Sequence, residues 1–171
     1  MQIENIINSL PDYARDLRLN YSSIINSHTQ MSEEQFYGSL LVAAMTSRNT
    51  GVIQAIKELT SDKLSTEALF AVNAAVSLMG MNNIYYRFTY LVENPEYAKM
   101  PAGLRMNVMR DVANKVDFEL YCLVASCITG CGACVASHEK VLINHGLARE
   151  VVQMGAKIAG IIHAIAMVYE V

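Results

Sequence analysis

Residues 118–138 read FELYCLVASCITGCGACVASH, and the fold follows from where this run breaks. Phe118 to Ala136 is apolar, and Thr129-Gly130 parts it into two buried helices, Val116 to Ile128 and Cys131 to Asn144. Set into the run are a carboxylate, Glu119, two thiols, Cys131 and Cys134, and an imidazole, His138. Ionisable groups are costly to bury unless they have a use, so these four mark the candidate site.

Working outward, no segment alternates with period two between hairpin turns, so the expected class is all-α. Apolar residues from Ile3 to Leu10 recur at helical spacing, and Pro11-Asp12 opens a second short helix. Ser32-Glu33-Glu34-Gln35 is a capping box, predicting a helix from Ser32 to near Arg48-Asn49. Further helices are expected over Gly51 to Leu59 and, capped by Ser65 or Thr66, over Ala68 to Met79. Gly80-Met81-Asn82-Asn83 is expected to break that helix before Ile84 to Val92. Asn94-Pro95 and Met100-Pro101-Ala102-Gly103 mark a connection leading to a short helix, Leu104 to Val112. Gly146 ends the helix before it, and Ala148 to Glu170 forms the last one. Displacing the chain against itself by 82 positions aligns Phe36 with Phe118, Leu41 with Leu123, Val42 with Val124 and Ala43 with Ala125. The expectation is a single domain, 1–171, holding a pseudo-repeat of roughly 32–93 and 115–170. Cys131, Cys134 and His138 then fall opposite Asn49, Val52 and Ile56, so one half carries the chemistry.

Of the 171 residues 53% are hydrophobic and 17% charged, enough for a sizeable core. A net charge of −3 offers no basic surface for nucleic acid. The start, Met1-Gln2-Ile3-Glu4-Asn5, has no secretory pattern, which places the protein in the cytoplasm, where thiols are kept reduced. All four cysteines, Cys122, Cys127, Cys131 and Cys134, fall within thirteen positions, a clustering that suits redox or metal chemistry there. The two most apolar stretches carry Glu119 in one, and Gln153, Lys157 and His163 in the other, Val151 to Val168. Neither is read as a membrane span; the second is a candidate subunit interface.

On one helix, positions 131, 134 and 138 fall within an arc of roughly 60°. Cys131 sits in the first turn, where free amides and the helix dipole favour a thiolate. Glu119 meets His138 only if the chain folds back at Thr129-Gly130, and a carboxylate held there would fix the imidazole's tautomer. Three uses of this set compete. Buried cysteines acting as small hydrophobes leave Glu119 and His138 unexplained. Two Cys, one His and Glu119 form a permitted zinc set, although so apolar a core has no need of a metal. A dithiol/disulfide redox centre, for which CxxC is the common spacing, accounts for most of the features. Cys122 and Cys127 read as core residues, His163 as a core or interface histidine, His145 as a helix-end residue and His28 as part of a polar loop. Asn82-Asn83-Ile84-Tyr85-Tyr86-Arg87 is unusually polar and aromatic, which suits packing, a subunit contact or a site wall.

Glu119 followed by Cys131, Cys134 and His138 resembles the signature of the AhpD-like alkylhydroperoxidases of the carboxymuconolactone-decarboxylase-like superfamily. Leu10-Pro11-Asp12-Tyr13-Ala14, Leu19-Asn20-Tyr21-Ser22-Ser23, Met79-Gly80-Met81-Asn82-Asn83 and Gly103-Leu104-Arg105-Met106-Asn107 resemble the same family, so the likeness spans the whole chain. The resemblance implies an all-helical homotrimer with an internal repeat, acting as a thiol peroxidase on organic hydroperoxides. Its reductant would be protein-bound dihydrolipoamide on an acyltransferase subunit, served by dihydrolipoamide dehydrogenase, and its client an AhpC-type peroxiredoxin. No tightly bound cofactor or metal is expected. Carried over, Cys134 becomes the sulfenic acid, Cys131 is the proton donor and resolving thiol that closes a Cys131–Cys134 disulfide, and Glu119 and His138 relay protons. One departure is Ala133, where the family carries a histidine whose loss is expected to weaken thiolate stabilisation. The alternative is a dithiol protein that exchanges disulfides or senses redox state without attacking peroxide.

Overall fold

The structure, a computed structural model, describes residues 2–169. Met1, and the last-helix end expected at Glu170, lie outside the described residues. All regular structure among them is helical: α1 (Ile3–Ser9), α2 (Arg15–Ser27), α3 (Glu33–Ser47), α4 (Thr50–Thr60), α5 (Thr66–Leu91), α6 (Pro95–Lys99), α7 (Lys115–Thr129), α8 (Gly132–Asn144) and α9 (Arg149–Val168). Helix starts follow the chemistry of their caps. Ser32 and Gln35 form both bonds of a capping box, and Asn49, Ser65 and Asn114 each accept an amide of the first turn that follows.

Helices α3 and α7 lie at the centre, packed on one another and both on α5 and α9. Leu120, Tyr121, Cys122, Leu123 and Val124 are buried on successive positions of α7, so that helix is covered on all sides. Where α3 and α7 meet, Gln35 Nε2 donates to Asp117 Oδ1 at 2.8 Å and Tyr121 Oη donates to the Glu34 carbonyl at 2.7 Å. Burial pushes the Asp117 carboxyl above its ordinary range, against the opposing pull of the Gln35 bond. The two helices begin 82 residues apart and end 82 residues apart, as do the starts of α4 and α8. Among the described residues α9 alone is long and apolar enough to cross a membrane by length and composition. Its Val151, Ile158, Ile162 and Ile165 are packed in the core.

Three expectations need correction. The short helix at Pro11-Asp12 is a 3-10 turn, Asp12–Ala14, that leads into the 13-residue α2. Gly80-Met81-Asn82-Asn83 does not break a helix, because α5 runs unbroken for 26 residues. A single helical glycine costs only about 1 kcal/mol, and Asn82 and Asn83 are buried with partners on other parts of the chain. The helix expected at Leu104 to Val112 shrinks to a 3-10 segment, Asn107–Asp111, and the connection before it contains the single turn of α6, with Pro95 in its first position.

Gly38 lets the α3 backbone approach α7: a Cβ there would lie 2.3 Å from Tyr121 Oη, and the tyrosine is fully buried. Nothing lies within 4 Å of a Cβ added at Gly80. Alanine removes backbone entropy at either glycine, worth about 0.5–1 kcal/mol, but overpacking costs about 1–3 kcal/mol. Gly38→Ala is therefore expected to lower, and Gly80→Ala to raise, the urea midpoint of unfolding; a stabilised Gly38→Ala would contradict the packing described.

Candidate active site

The turn between α7 and α8 fixes the first cysteine. Gly130 takes the left-handed conformation, φ 70°, that a glycine adopts without strain. Gly130 N then donates to the Cys127 carbonyl and Cys131 N to the Ser126 carbonyl, the paired bonds of a Schellman ending. The Cys131 carbonyl in turn accepts from Val135 N at 2.9 Å and opens α8. Cys131 is thus held by two helices at once, as the residue before α8 and not within its first turn. Arg87 donates to the Thr129 carbonyl, and Asn83 Nδ2 donates to Thr129 Oγ1 at 2.8 Å, which ties this turn to α5.

Cys131 and Cys134 are joined as a disulfide with Cα atoms 5.3 Å apart. Cys131 is 1% exposed and Cys134 8%. A cavity of about 250 Å³ lies beside Cys134, between two helices. From α8 it is lined by Ala133, Cys134, Ser137 and His138, and from α5 by Met79, Asn82, Asn83 and Tyr86. The α5 residues are spaced i, i+3, i+4, i+7, one helical face. A site wall was among the roles open to the Asn82–Arg87 stretch, and Asn82, Asn83 and Tyr86 take it. Met79 entered the sequence reading only within the Met79–Asn83 stretch and Ser137 not at all, since neither breaks the apolar or polar pattern around it.

The fold-back brings Glu119 to His138: Nδ1 lies 2.7 Å from Glu119 Oε2, with side chains 15% and 17% exposed. A carboxylate accepts only, so Nδ1 carries the proton and Nε2 is left as the base. Glu119 also lines a second cavity, with Lys115, Val116, Val141, Leu142 and His145. The two members of the pair thus border different cavities, His138 the one at Cys134 and Glu119 the one that includes exposed His145. Among the described residues no group of three or more His, Cys, Asp or Glu is placed to hold a metal ion. Glu119 faces the imidazole, where the zinc arrangement would need it at the sulfurs.

The remaining candidates lie elsewhere. Cys122 is fully buried, and burial, helped by the Glu119 charge, pushes its thiol well above the ordinary range. Cys127 is half-buried, and burial raises its thiol too. His163 Nδ1 meets Ser47 Oγ at 3.1 Å, His145 follows the last residue of α8, and His28 stacks on Phe36 with ring centres 3.8 Å apart.

Residues 95–168 match the carboxymuconolactone decarboxylase family. Over nearly the whole chain the protein is similar to proteins named alkyl hydroperoxide reductase AhpD. That of Gluconacetobacter diazotrophicus is 49% identical, over 97% of this chain and 91% of its own length. The one of Rhizorhabdus wittichii is 44% identical over 99% and 98%, and that of Solibacter usitatus 42% identical over 100% and 97%. The chain belongs to the AhpD family of alkyl hydroperoxide reductases.

In the reduced protein the thiols should react according to thiolate character and access to the cavity: Cys134 lines it beside His138, whereas burial raises the Cys127 thiol and, further, that of Cys122. Treatment with N-ethylmaleimide at neutral pH, followed by mass spectrometry, is expected to modify Cys134 first, Cys127 slowly and Cys122 last. Faster labelling of Cys122 than of Cys134 would contradict the site described.

Proposed function

We propose that the protein reduces alkyl hydroperoxides through the Cys131/Cys134 dithiol, as the family it belongs to suggests. The observation that carries this reading is the 2.7 Å bond between His138 and Glu119, with His138 and Cys134 on one cavity wall. A dithiol used only as a packing element needs no oriented base beside it. The Cys134 thiolate attacks the terminal oxygen of the hydroperoxide: an S–O bond forms, the O–O bond breaks, and sulfur is oxidised to a sulfenic acid. The departing alkoxide takes a proton that the His138–Glu119 pair or Cys131 delivers, and leaves as an alcohol. Cys131 then displaces water from the sulfenic acid and closes the disulfide, the form seen here.

Reduction completes the cycle. A dihydrolipoamide thiolate attacks the disulfide, and its second thiol resolves the mixed disulfide, returning both cysteines as thiols and releasing lipoamide. The lower burial of Cys134 makes it the sulfur that an incoming thiolate reaches. In this reading the electrons come from a lipoylated acyltransferase subunit kept reduced by dihydrolipoamide dehydrogenase, and an AhpC-type peroxiredoxin is a further acceptor. The homotrimer is carried over from the family resemblance, and the exposed apolar side chains of Ile84, Phe88 and Leu91 on α5 support association of some kind.

The assay couples cumene hydroperoxide reduction to NADH oxidation through dihydrolipoamide and its dehydrogenase. Cys134→Ser should abolish turnover above background; a wild type no faster than this variant would defeat the peroxidase reading and leave disulfide exchange. Glu119→Gln keeps an acceptor for Nδ1 but removes the charge. It is expected to cut kcat/KM by about 10- to 100-fold, less than the roughly 10²- to 10⁴-fold of full acid–base assistance, and to move the pH profile. An unaltered rate and profile would remove the relay.

A further inference from the structure

Helix α7 carries no basic residue in its own last turn, and α8 no acidic residue in its first. The two helix ends that meet at Cys131 therefore bear opposite partial charges, about half an elementary charge each, and the negative end of α7 disfavours a thiolate there. A cation reaches that end from α5. Arg87 donates to the carbonyl of Thr129, the last residue of α7, while Asn83, one turn earlier on α5, donates to the hydroxyl of the same threonine. Cys131 follows Thr129 by two residues, a span of at most about 7 Å, and the Cα atoms of Cys131 and Cys134 are 5.3 Å apart. The guanidinium thus stands on the order of 10 Å from the sulfurs. It is half-buried, and among the described residues no carboxylate forms an ion pair with it. Its charge is not cancelled locally. Among the described residues no lysine or arginine lines the cavity at Cys134. The other ionisable groups near the dithiol are His138, with Glu119 bonded to it, Tyr86 on the cavity wall, and Cys127, whose thiol is raised by burial. With Nδ1 protonated and Nε2 free, the imidazole is neutral, and the pair carries only the negative charge of its carboxylate.

We propose that Arg87 is a positioning residue that stabilises the Cys134 thiolate: its guanidinium covers the negative end of α7 and sets a fixed cation near the dithiol. The positive end of α8 then acts on the sulfur with α7 no longer opposing it. The inference rests on the peroxidase reading above for the role of Cys134. A guanidinium that served only as a helix cap would be replaceable by another donor, charged or neutral. An electrostatic one acts through its charge. At an effective dielectric of about 20, a unit charge about 10 Å away moves a thiol's titration by roughly one pH unit. A cation that stabilises the thiolate also stabilises the reduced dithiol over the disulfide, so the same charge makes the disulfide easier to reduce. One arginine outside the cavity thus serves both halves of the cycle without touching a substrate.

The test uses the whole protein, reduced, as wild type, Arg87→Gln and Arg87→Lys, with Arg87→Met as a second neutral replacement should glutamine prevent folding as judged by far-UV circular dichroism. Alkylation of Cys134 by iodoacetamide is followed by mass spectrometry across a pH series, and its midpoint is read. Arg87→Gln keeps a donor and drops the charge; it is expected to raise the midpoint by about one pH unit, which slows alkylation about tenfold on the acid side of the curve. Arg87→Lys keeps the charge and is expected to hold the midpoint near that of wild type. In equilibrium with dihydrolipoamide, the neutral variant is expected to retain more disulfide than wild type or Arg87→Lys. An unmoved midpoint in the neutral variant would overturn the inference. So would a midpoint that Arg87→Lys raises as far as Arg87→Gln does, which would make Arg87 a cap by shape alone. No hydroperoxide enters this experiment, so a wild type inert to hydroperoxide would defeat the peroxidase reading, whereas an unmoved midpoint defeats this inference alone.

Discussion

The backbone of Cys131 belongs to two helices. Its amide closes α7 and its carbonyl opens α8, with the left-handed Gly130 between them turning the chain back on itself. On one continuous helix Glu119 and His138 would stand about 28 Å apart, at 1.5 Å per residue. The reversal brings them to 2.7 Å. The same turn places the first sulfur just ahead of α8 and the second within its opening turn, so Cys134 and the imidazole share a wall by construction. Loops tolerate such a site poorly, because the geometry of acid–base assistance must hold to a fraction of an ångström.

The other wall comes from α5 and depends on that helix staying whole. Asn83 bonds Thr129, its oxygen accepts from Ser126 Oγ at 3.3 Å, and Arg87 reaches the Thr129 carbonyl. These contacts hold α5 against the end of α7, the segment that positions Cys131. An asparagine pair in mid-helix is weakly unfavourable by intrinsic propensity, by a few tenths of a kcal/mol each, whereas a buried amide bonded to a buried neighbour contributes roughly 0.5–1.5 kcal/mol. Tertiary structure therefore decides that the helix continues.

That difference also marks how far the sequence could be read. The α7–α8 hairpin, the Ser32 capping box and the shared face of Cys134 and His138 rest on residues within a few turns of one another, and local rules suffice for them. The contact between Glu119 and His138 was legible as a condition on a single turn at Thr129-Gly130. Continuity of α5 was not, because the partners of Asn82 and Asn83 lie 24 and 46 residues away. Placing Cys131 in the first turn of α8 missed by one residue, since the Schellman bonds of α7 claim its amide. Local geometry had also favoured Cys131 as the activated thiol. In the folded chain it is the more deeply buried sulfur, and Cys134 is the one on the cavity.

The site thus divides its work between a buried sulfur and one that meets the cavity, with an oriented imidazole beside the second. Two other thiols, Cys122 and Cys127, are held protonated by burial. The central claim is that Cys134 is the sulfur that takes oxygen from the hydroperoxide. The most direct measurement treats reduced Cys131→Ser protein, which cannot close the disulfide, with one equivalent of cumene hydroperoxide in the presence of dimedone and locates the adduct by peptide mass spectrometry. The account expects dimedone on Cys134 alone. An adduct on Cys127 or Cys122, or none on any cysteine, would contradict it.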